Sequence, residues 1–333
     1  MGAFRGAALL AAGTVLLLLA VVTSLAVGAH QLTPAEVAAS LWTELTGTGS
    51  TYADDVVASR IPRTVLGVMA GAALAVAGVV MQGLTRNPLA DPGILGVNAG
   101  AAAATVTGMA FFGVGASGAN VWVALPGALA TVLVVYGLAS GRRGSTPVRL
   151  VLAGTVMSAV LMSYIQAVAL TRPDVFNMYR FWAVGSLSGR TMEQAADILP
   201  FFLAGLVVAL AAGRSLNALA LGEEAAASLG LRPQAAKITG ALAAALLCAA
   251  ATAAVGPIGF VGLAVPHIVR SFAGPDHRWL LVLSAVAGPS LLLFADVLGR
   301  LVAQPGEVLT GVVTALLGAP LLILAVRRMR SIA

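Results

Sequence analysis

Long apolar runs, parted by short segments that hold nearly all the charge, constrain this chain more than any motif in it. Runs near 7–29, 63–84, 94–112, 120–139, 149–170, 196–213, 237–255, 258–272, 279–298 and 308–326 each approach the length of about 17–25 residues that spans a bilayer as a helix. A charge at the bilayer centre costs about 2.5–3.5 kcal/mol, so Lys, Arg, Asp and Glu should gather at the ends of the runs, and they do. Only 10% of residues are charged and 59% are hydrophobic, whereas a soluble domain carries about 25% charge. An all-α integral membrane protein of about ten transmembrane helices is expected, a single polytopic domain over 1–333. An even number of spans puts both termini on one side. The first run, after Arg5, exceeds the core of about 7–15 residues in a signal peptide and reads as a retained helix. The eighth, interrupted by Pro257 and Pro266, should be a broken or kinked pair of short helices inside protein or beside a water-filled cavity.

Orientation follows from the arginines. With the N-terminus inside, thirteen of the nineteen basic residues fall in cytoplasmic segments, as the positive-inside rule requires. The formal charge of +6 therefore reflects loops facing the cytoplasm and not a nucleic-acid surface. The outside keeps Arg60, Arg63, Arg172, Arg180, Arg190 and Arg300, along with most of the acids. Arg60 and Arg63 bracket Pro62 where the second run begins, close to Asp54 and Asp55. From composition they either reach for lipid headgroups or pair with those two carboxylates. Cys248 is the only cysteine, which excludes an intrachain disulfide.

Two loops carry further information. "QGLTRNPLADPGILGVNAGA", between the second and third runs, is dense in Pro, Gly, Asn and Asp and favours a tight turn in which Asn87, Asp91 and Asn98 cap helix starts or line a polar pore. "GRSLNALALGEEAAASLGLRPQAAK", between the sixth and seventh, contains a short helix with acids in its first turn and Gly230 as a C-cap. It either lies along the membrane surface or docks a cytoplasmic partner.

These loops, with "RIPRTVLGVMAGAALAVAGVVMQG", "GPIGFVGLAVPHIVRSFAGPDHR" and "LLLFADVLGRLV…GEVLTGVVTALLGAPLLILAVRR", resemble the FecCD/BtuC-type permeases of bacterial ABC importers, in order and over nearly the whole chain. "RPDVFNMYRFWAVGSLSGR" is most similar to the ferric-siderophore, ferric-enterobactin-like members. The resemblance implies a BtuC-like type II importer transmembrane domain in the bacterial inner membrane, multi-pass, with both termini cytoplasmic. It implies a dimer, of identical or sister chains, with the pathway along the interface. A periplasmic or lipoprotein binding protein would deliver ferric siderophore from outside, with haem or cobalamin as alternatives, and two cytoplasmic ATPase subunits would hold the ATP and Mg. No cofactor is expected in this chain, which has no G-x-x-x-x-G-K-[ST] phosphate loop. Apart from its lipid surroundings no further partner is implied, and no nucleic acid.

The same resemblance assigns candidate residues. Arg60, Arg63 and Arg300 would face outward and meet acids of the binding protein. Gly222, Glu223, Glu224, Ala225, Ala226, Leu229 and Gly230, within a coupling segment 214–236, would seat in the ATPase. Asn87, Leu89 and Thr146 would form the cytoplasmic gate, and Ser158, Ser163 and Gln166 on the fifth span would line the pathway. The alternative for Ser158 and Ser163 is ordinary interhelical hydrogen bonding. His267 and His277 lack acid or Cys partners at ligand spacing, so no metal site is expected. An ion-coupled secondary transporter would need ionisable residues at mid-membrane, where only Asp296 comes near. An intramembrane enzyme would need H-E-x-x-H, G-x-S-x-G or a similar constellation, and the sequence has neither of these.

Overall fold

The structure, a computed structural model, describes residues 3–28, 30–49, 51–113, 120–141, 144–145, 147–304 and 306–330. Among them the chain runs through α1 (Ala3–Ala26), α2 (Pro34–Thr46), α3 (Tyr52–Thr85), a 3-10 turn (Pro92–Leu95), α4 (Val97–Phe111), α5 (Asn120–Ala139) and a two-residue antiparallel pair, Ser140–Gly141 with Gly144–Ser145. It continues through α6 (Pro147–Thr171), α7 (Pro173–Trp182), α8 (Met192–Ala211), α9 (Gly213–Ala220) and α10 (Glu223–Ser228). It closes with α11 (Pro233–Val255), α12 (Val261–Ala273), α13 (His277–Val302) and α14 (Thr310–Arg330).

Each of the ten predicted runs coincides with one helix. Seven are long and apolar enough to cross a membrane; the other three are the shorter apolar helices Val97–Phe111, Val261–Ala273 and Thr310–Ile323. The connecting helices α2 and α7 lie at one end of the bundle, and α9 and α10 at the other. The start of α1 and the latter part of α14 belong with α9 and α10: Arg5 donates to Phe272 O at 3.0 Å, and Leu321 and Leu322 line a crevice with Leu89 and His267.

Two boundaries differ from the expectation. The eighth run breaks only at its start, where 256–260 around Pro257 is not helical; from Val261 it is one helix, with Pro266 inside α12. Proline removes the N–H that would have reached the carbonyl of residue i−4, here Gly262. That oxygen instead accepts Gln82 Nε2 of α3 at 3.3 Å, so the freed carbonyl keeps a partner within the bundle. The second run begins well upstream of 63. Thr51 and Asp54 form a reciprocal capping box that starts α3 at Tyr52, and Arg60 and Arg63 therefore stand inside the helix, not in a loop before it.

The centre of the bundle is α3, 89% buried over its apolar window. Small residues bring its neighbours to backbone contact, as expected where helices associate without a hydrophobic drive. A Cβ on Gly78 would strike Gly262 O of α12, and one on Gly71 would lie 2.6 Å from Pro289 Cα of α13. By contrast α6 is only 11% buried over its window.

Candidate functional site

At the α2–α7 end, three arginines converge on the close of α1 and on one carboxylate. A helix leaves its last carbonyls without partners, and they carry the negative end of its dipole. Arg60 Nη1 donates to Leu25 O at 2.7 Å and Ala26 O at 3.1 Å, and its Nη2 to His30 O at 2.6 Å. Arg300 Nη1 donates to Ser24 O at 2.9 Å and Val27 O at 2.6 Å. Asp296, 1% exposed, takes Arg63 through two parallel bonds of 2.8 Å, Arg300 at 3.0 Å and the Thr310 hydroxyl at 2.8 Å. Glu307 completes Arg63 at 2.9 Å. Two-pronged pairing of this kind is what the planar guanidinium does best.

The outward placement expected for Arg60, Arg63 and Arg300 is thereby corrected. Arg60 is 9% and Arg300 3% exposed, and the Arg63 side chain 11%. Their terminal nitrogens bond inside the chain, fastening α1, α3 and α13 together, while Arg300 Nε is buried without a partner. Nor do they pair with Asp54, whose oxygens accept from Thr51 at 2.8 Å and Thr43 at 2.8 Å.

At the opposite end, α10 is built as the sequence suggests. Glu223 and Glu224 open it, and it closes in a Schellman motif: Leu231 N–H donates to Ala226 O at 3.1 Å and Gly230 N–H to Ala227 O at 2.9 Å. Gly230 has φ +82° and Gly222 φ +110°, conformations that favour glycine. Ala226 is fully buried against the chain itself. Glu224, Ala225 and Leu229 are exposed, as is Leu221 just before. Lys237 Nζ meets Glu223 Oε1 at 2.6 Å, tying α10 to α11. Neighbouring α9 is stapled to the start of α13: Asn217 Nδ2 donates to Asp276 Oδ1 at 2.7 Å, and His277 N–H donates to Asn217 Oδ1 at 2.8 Å. Asp276 is pushed up by burial, but the bonds from Asn217 and Arg278 outweigh this and hold its carboxyl down at about 2.

Between the ends, the expected gate and pathway residues separate into groups. Asn87 is exposed and its Oδ1 accepts Leu89 N–H at 3.0 Å, a turn closed by the side chain. Leu89 edges a crevice with Leu263, His267, Gly318 and Leu321. Thr146 lies outside the described residues. On α6, Ser158 is half-buried while Ser163 and Gln166 are exposed. Ser163 bonds back to Ala159 O at 2.9 Å, within its own helix. Thr155, missed in the sequence, is also exposed and falls almost in line with Gln166, three turns on. In the loop, Asp91 caps the 3-10 turn through Gly93 N–H at 2.7 Å. Asn98 caps no helix; its Oδ1 accepts Thr252 Oγ1 at 2.9 Å, joining α4 to α11.

Comparison with known proteins gives a consistent match. The pattern of the FecCD transport family is matched over residues 16–328. The chain is 45% identical over 318 residues to the ferric enterobactin transport system permease protein of Escherichia coli, covering 94% of this chain and 93% of that one. It is 41% identical over 273 residues to the iron(3+)-hydroxamate import system permease protein of Bacillus subtilis, covering 81% and 71%. A solved structure described as an inward-facing conformation of an ABC transporter of the metal-chelate type superposes with a TM-score of 0.81 at 26% identity, over 97% of this chain and 99% of that one.

Proposed function

The chain belongs to the FecCD transport family, and from that premise we propose that it carries ferric siderophores across a bacterial inner membrane as the permease subunit of an ATP-driven importer. The observation that supports this most is the face of α6. It sets Thr155, Ser163 and Gln166 among exposed Leu152, Val156, Val160 and Met162. A glutamine turned to hydrocarbon is costly, whereas the same face suits a passage closed by a second permease subunit, identical or sister. Asn87 and Leu89, in the turn after α3 at the α9–α10 end of the bundle, serve as the gate.

The α9–α10 end is the cytoplasmic one, since Arg214, Arg232, Lys237, Arg270 and Arg278 cluster there. Two ATPase subunits, which hold the ATP and Mg, contact the segment 214–236 through Glu224, Ala225, Leu229 and Leu221. Gly222 and Gly230 give it its shape, and Ala226 and Glu223 hold it to the chain. Force delivered there passes through the Lys237–Glu223 and Asn217–Asp276 contacts into α11 and α13, both packed on α3. At the other end a binding protein delivers the cargo. With Arg60, Arg63 and Arg300 buried and engaged internally, the exposed arginines of the α7 region steer it: Arg180, and Arg172, which spends one nitrogen on Ala110 O at 2.8 Å.

Reconstitution tests this reading. Vesicles holding the chain with its ATPase and binding protein should accumulate ferric siderophore only with ATP, in preference to haem or cobalamin. Accumulation by the chain alone, driven by an ion gradient, overturns the importer; ATP-dependent uptake of haem or cobalamin in preference to ferric siderophore overturns only the cargo.

A further inference from the structure

Beside the arginine network, the α2–α7 end holds an open cavity of about 300 Å³ formed by the end of α7, the loop 183–191, the start of α8 and Leu309. Its volume is at the lower end of the range for small-molecule sites. The loop is held in place before any ligand arrives. Ser186 N–H donates to Val255 O at 2.8 Å and Gly311 N–H to Gly185 O at 3.0 Å. Gly185 has φ +76°, and a Cβ there would lie 2.8 Å from Ile258 Cγ1.

The lining has many donors and few free acceptors. Arg190 spends only its Nε, on Ser186 O at 3.0 Å. No carboxylate of the described residues pairs with it, and burial alone pulls its pKa below the usual arginine value. Every other arginine of the network beside it bonds through its terminal nitrogens to a carboxylate or to several carbonyls, with Arg300 Nε alone left buried and without a partner. Trp182 is 4% exposed and its indole N–H has no acceptor, a costly condition for a buried donor. Gln194 Oε1 accepts Thr191 N–H at 3.2 Å, which leaves its amide N–H groups for a ligand. The start of α8 adds the positive end of a helix dipole. Phe181, Trp182 and Met178 supply flat or soft apolar walls.

We propose that this cavity binds a planar aromatic oxyanion, a benzoate-, salicylate- or catecholate-like group carried by an incoming solute. The guanidinium of Arg190 takes the oxyanion through its free terminal nitrogens, the Trp182 and Gln194 N–H groups add neutral bonds, and the ring of the ligand lies against Phe181 and Met178. That the cavity opens to the outside rests on the importer reading; that it binds an aromatic oxyanion does not.

The test uses the full chain in lipid nanodiscs, titrated calorimetrically with salicylate, with benzyl alcohol as a neutral ring and acetate as a ringless carboxylate. Salicylate should bind, with the other two at least tenfold weaker. Arg190→Gln should weaken salicylate tenfold or more. Trp182→Phe, which keeps a ring and removes the N–H, should weaken it several-fold at an unchanged melting temperature. Ser188→Trp at the exposed rim should block binding without touching the fold. Equal salicylate affinity in the wild type, Arg190→Gln and Ser188→Trp overturns the proposal, as does acetate binding as tightly as salicylate, which would mark a carboxylate-docking point for a protein side chain. Salicylate binding in a chain that fails to import any ferric complex leaves the site standing and removes the importer reading.

Discussion

Asp296 is a buried carboxylate shared by Arg63, Arg300 and Thr310, and its removal leaves Arg300 without a carboxylate and Arg63 with Glu307 alone. Breaking a buried pair in this way costs about 3–5 kcal/mol. Asp296→Ala should therefore lower unfolding stability in micelles by about that amount, whereas Asp296→Leu combined with Arg63→Met should cost clearly less than the two single changes summed. Additive losses would deny the coupling. Asp276 offers a pH-dependent counterpart. Its folded pKa, about 2, is below the ordinary aspartate value of about 3.9. Its contribution is thus complete above that ordinary value and is lost as pH falls through the folded one. Hydrogen exchange at the start of α13 should rise as pH drops from about 4 towards 2, after correction for the intrinsic rate, and Asn217→Ala should move that rise to higher pH. An unmoved profile counts against the staple. The Asp296–Arg300 contact was legible as an i,i+4 pair, and the helix start at Thr51 could have been read from T-Y-A-D. Arg63 with Asp296 could not, since 233 positions separate them and nothing local in the sequence links them.

The coupling helix α10 separates two kinds of surface within six residues. Ala226 faces the chain and Leu229 faces away, so the two positions should fail differently. Ala226→Trp overfills a buried contact, which typically costs about 1–3 kcal/mol, and should lower the melting temperature of the chain. Leu229→Arg should leave that temperature unchanged and abolish ATP-coupled uptake. If Leu229→Arg transports normally, α10 is not the contact for the ATPase. Helices of this length and their caps were readable from "GEEAAASLG" because the acids and Gly230 act locally. The continuity of α12 was not, because it depends on Gln82 reaching Gly262 O from another helix. Position 266 looked like a break only while its neighbourhood was unknown.

Across the whole molecule, burial is uneven: α3 is enclosed and α6 is almost bare. A single Cys at Gln166, in a Cys248→Ala background, should cross-link to a second permease subunit in native membranes, and one at Val207 on the exposed face of α8 should not. Cross-linking from Val207 alone would move the partner to another face. The ten apolar helices were legible because the cost of burying charge marks each end, although only seven of them are long enough by themselves to cross a membrane. Which helix lies at the centre was not legible, since α3 and α6 have similar apolar lengths and only packing distinguishes them.

The fastening of α1 has a consequence for biosynthesis. Arg60 of α3 takes two of the final carbonyls of α1 early, but those of Ser24 and Val27 wait for Arg300, 276 positions after Ser24, so the first segment to leave the ribosome is among the last to be fully locked. A chain released before α13 is complete should keep α1 loosely held and open to quality-control proteases, however well its other early segments have inserted.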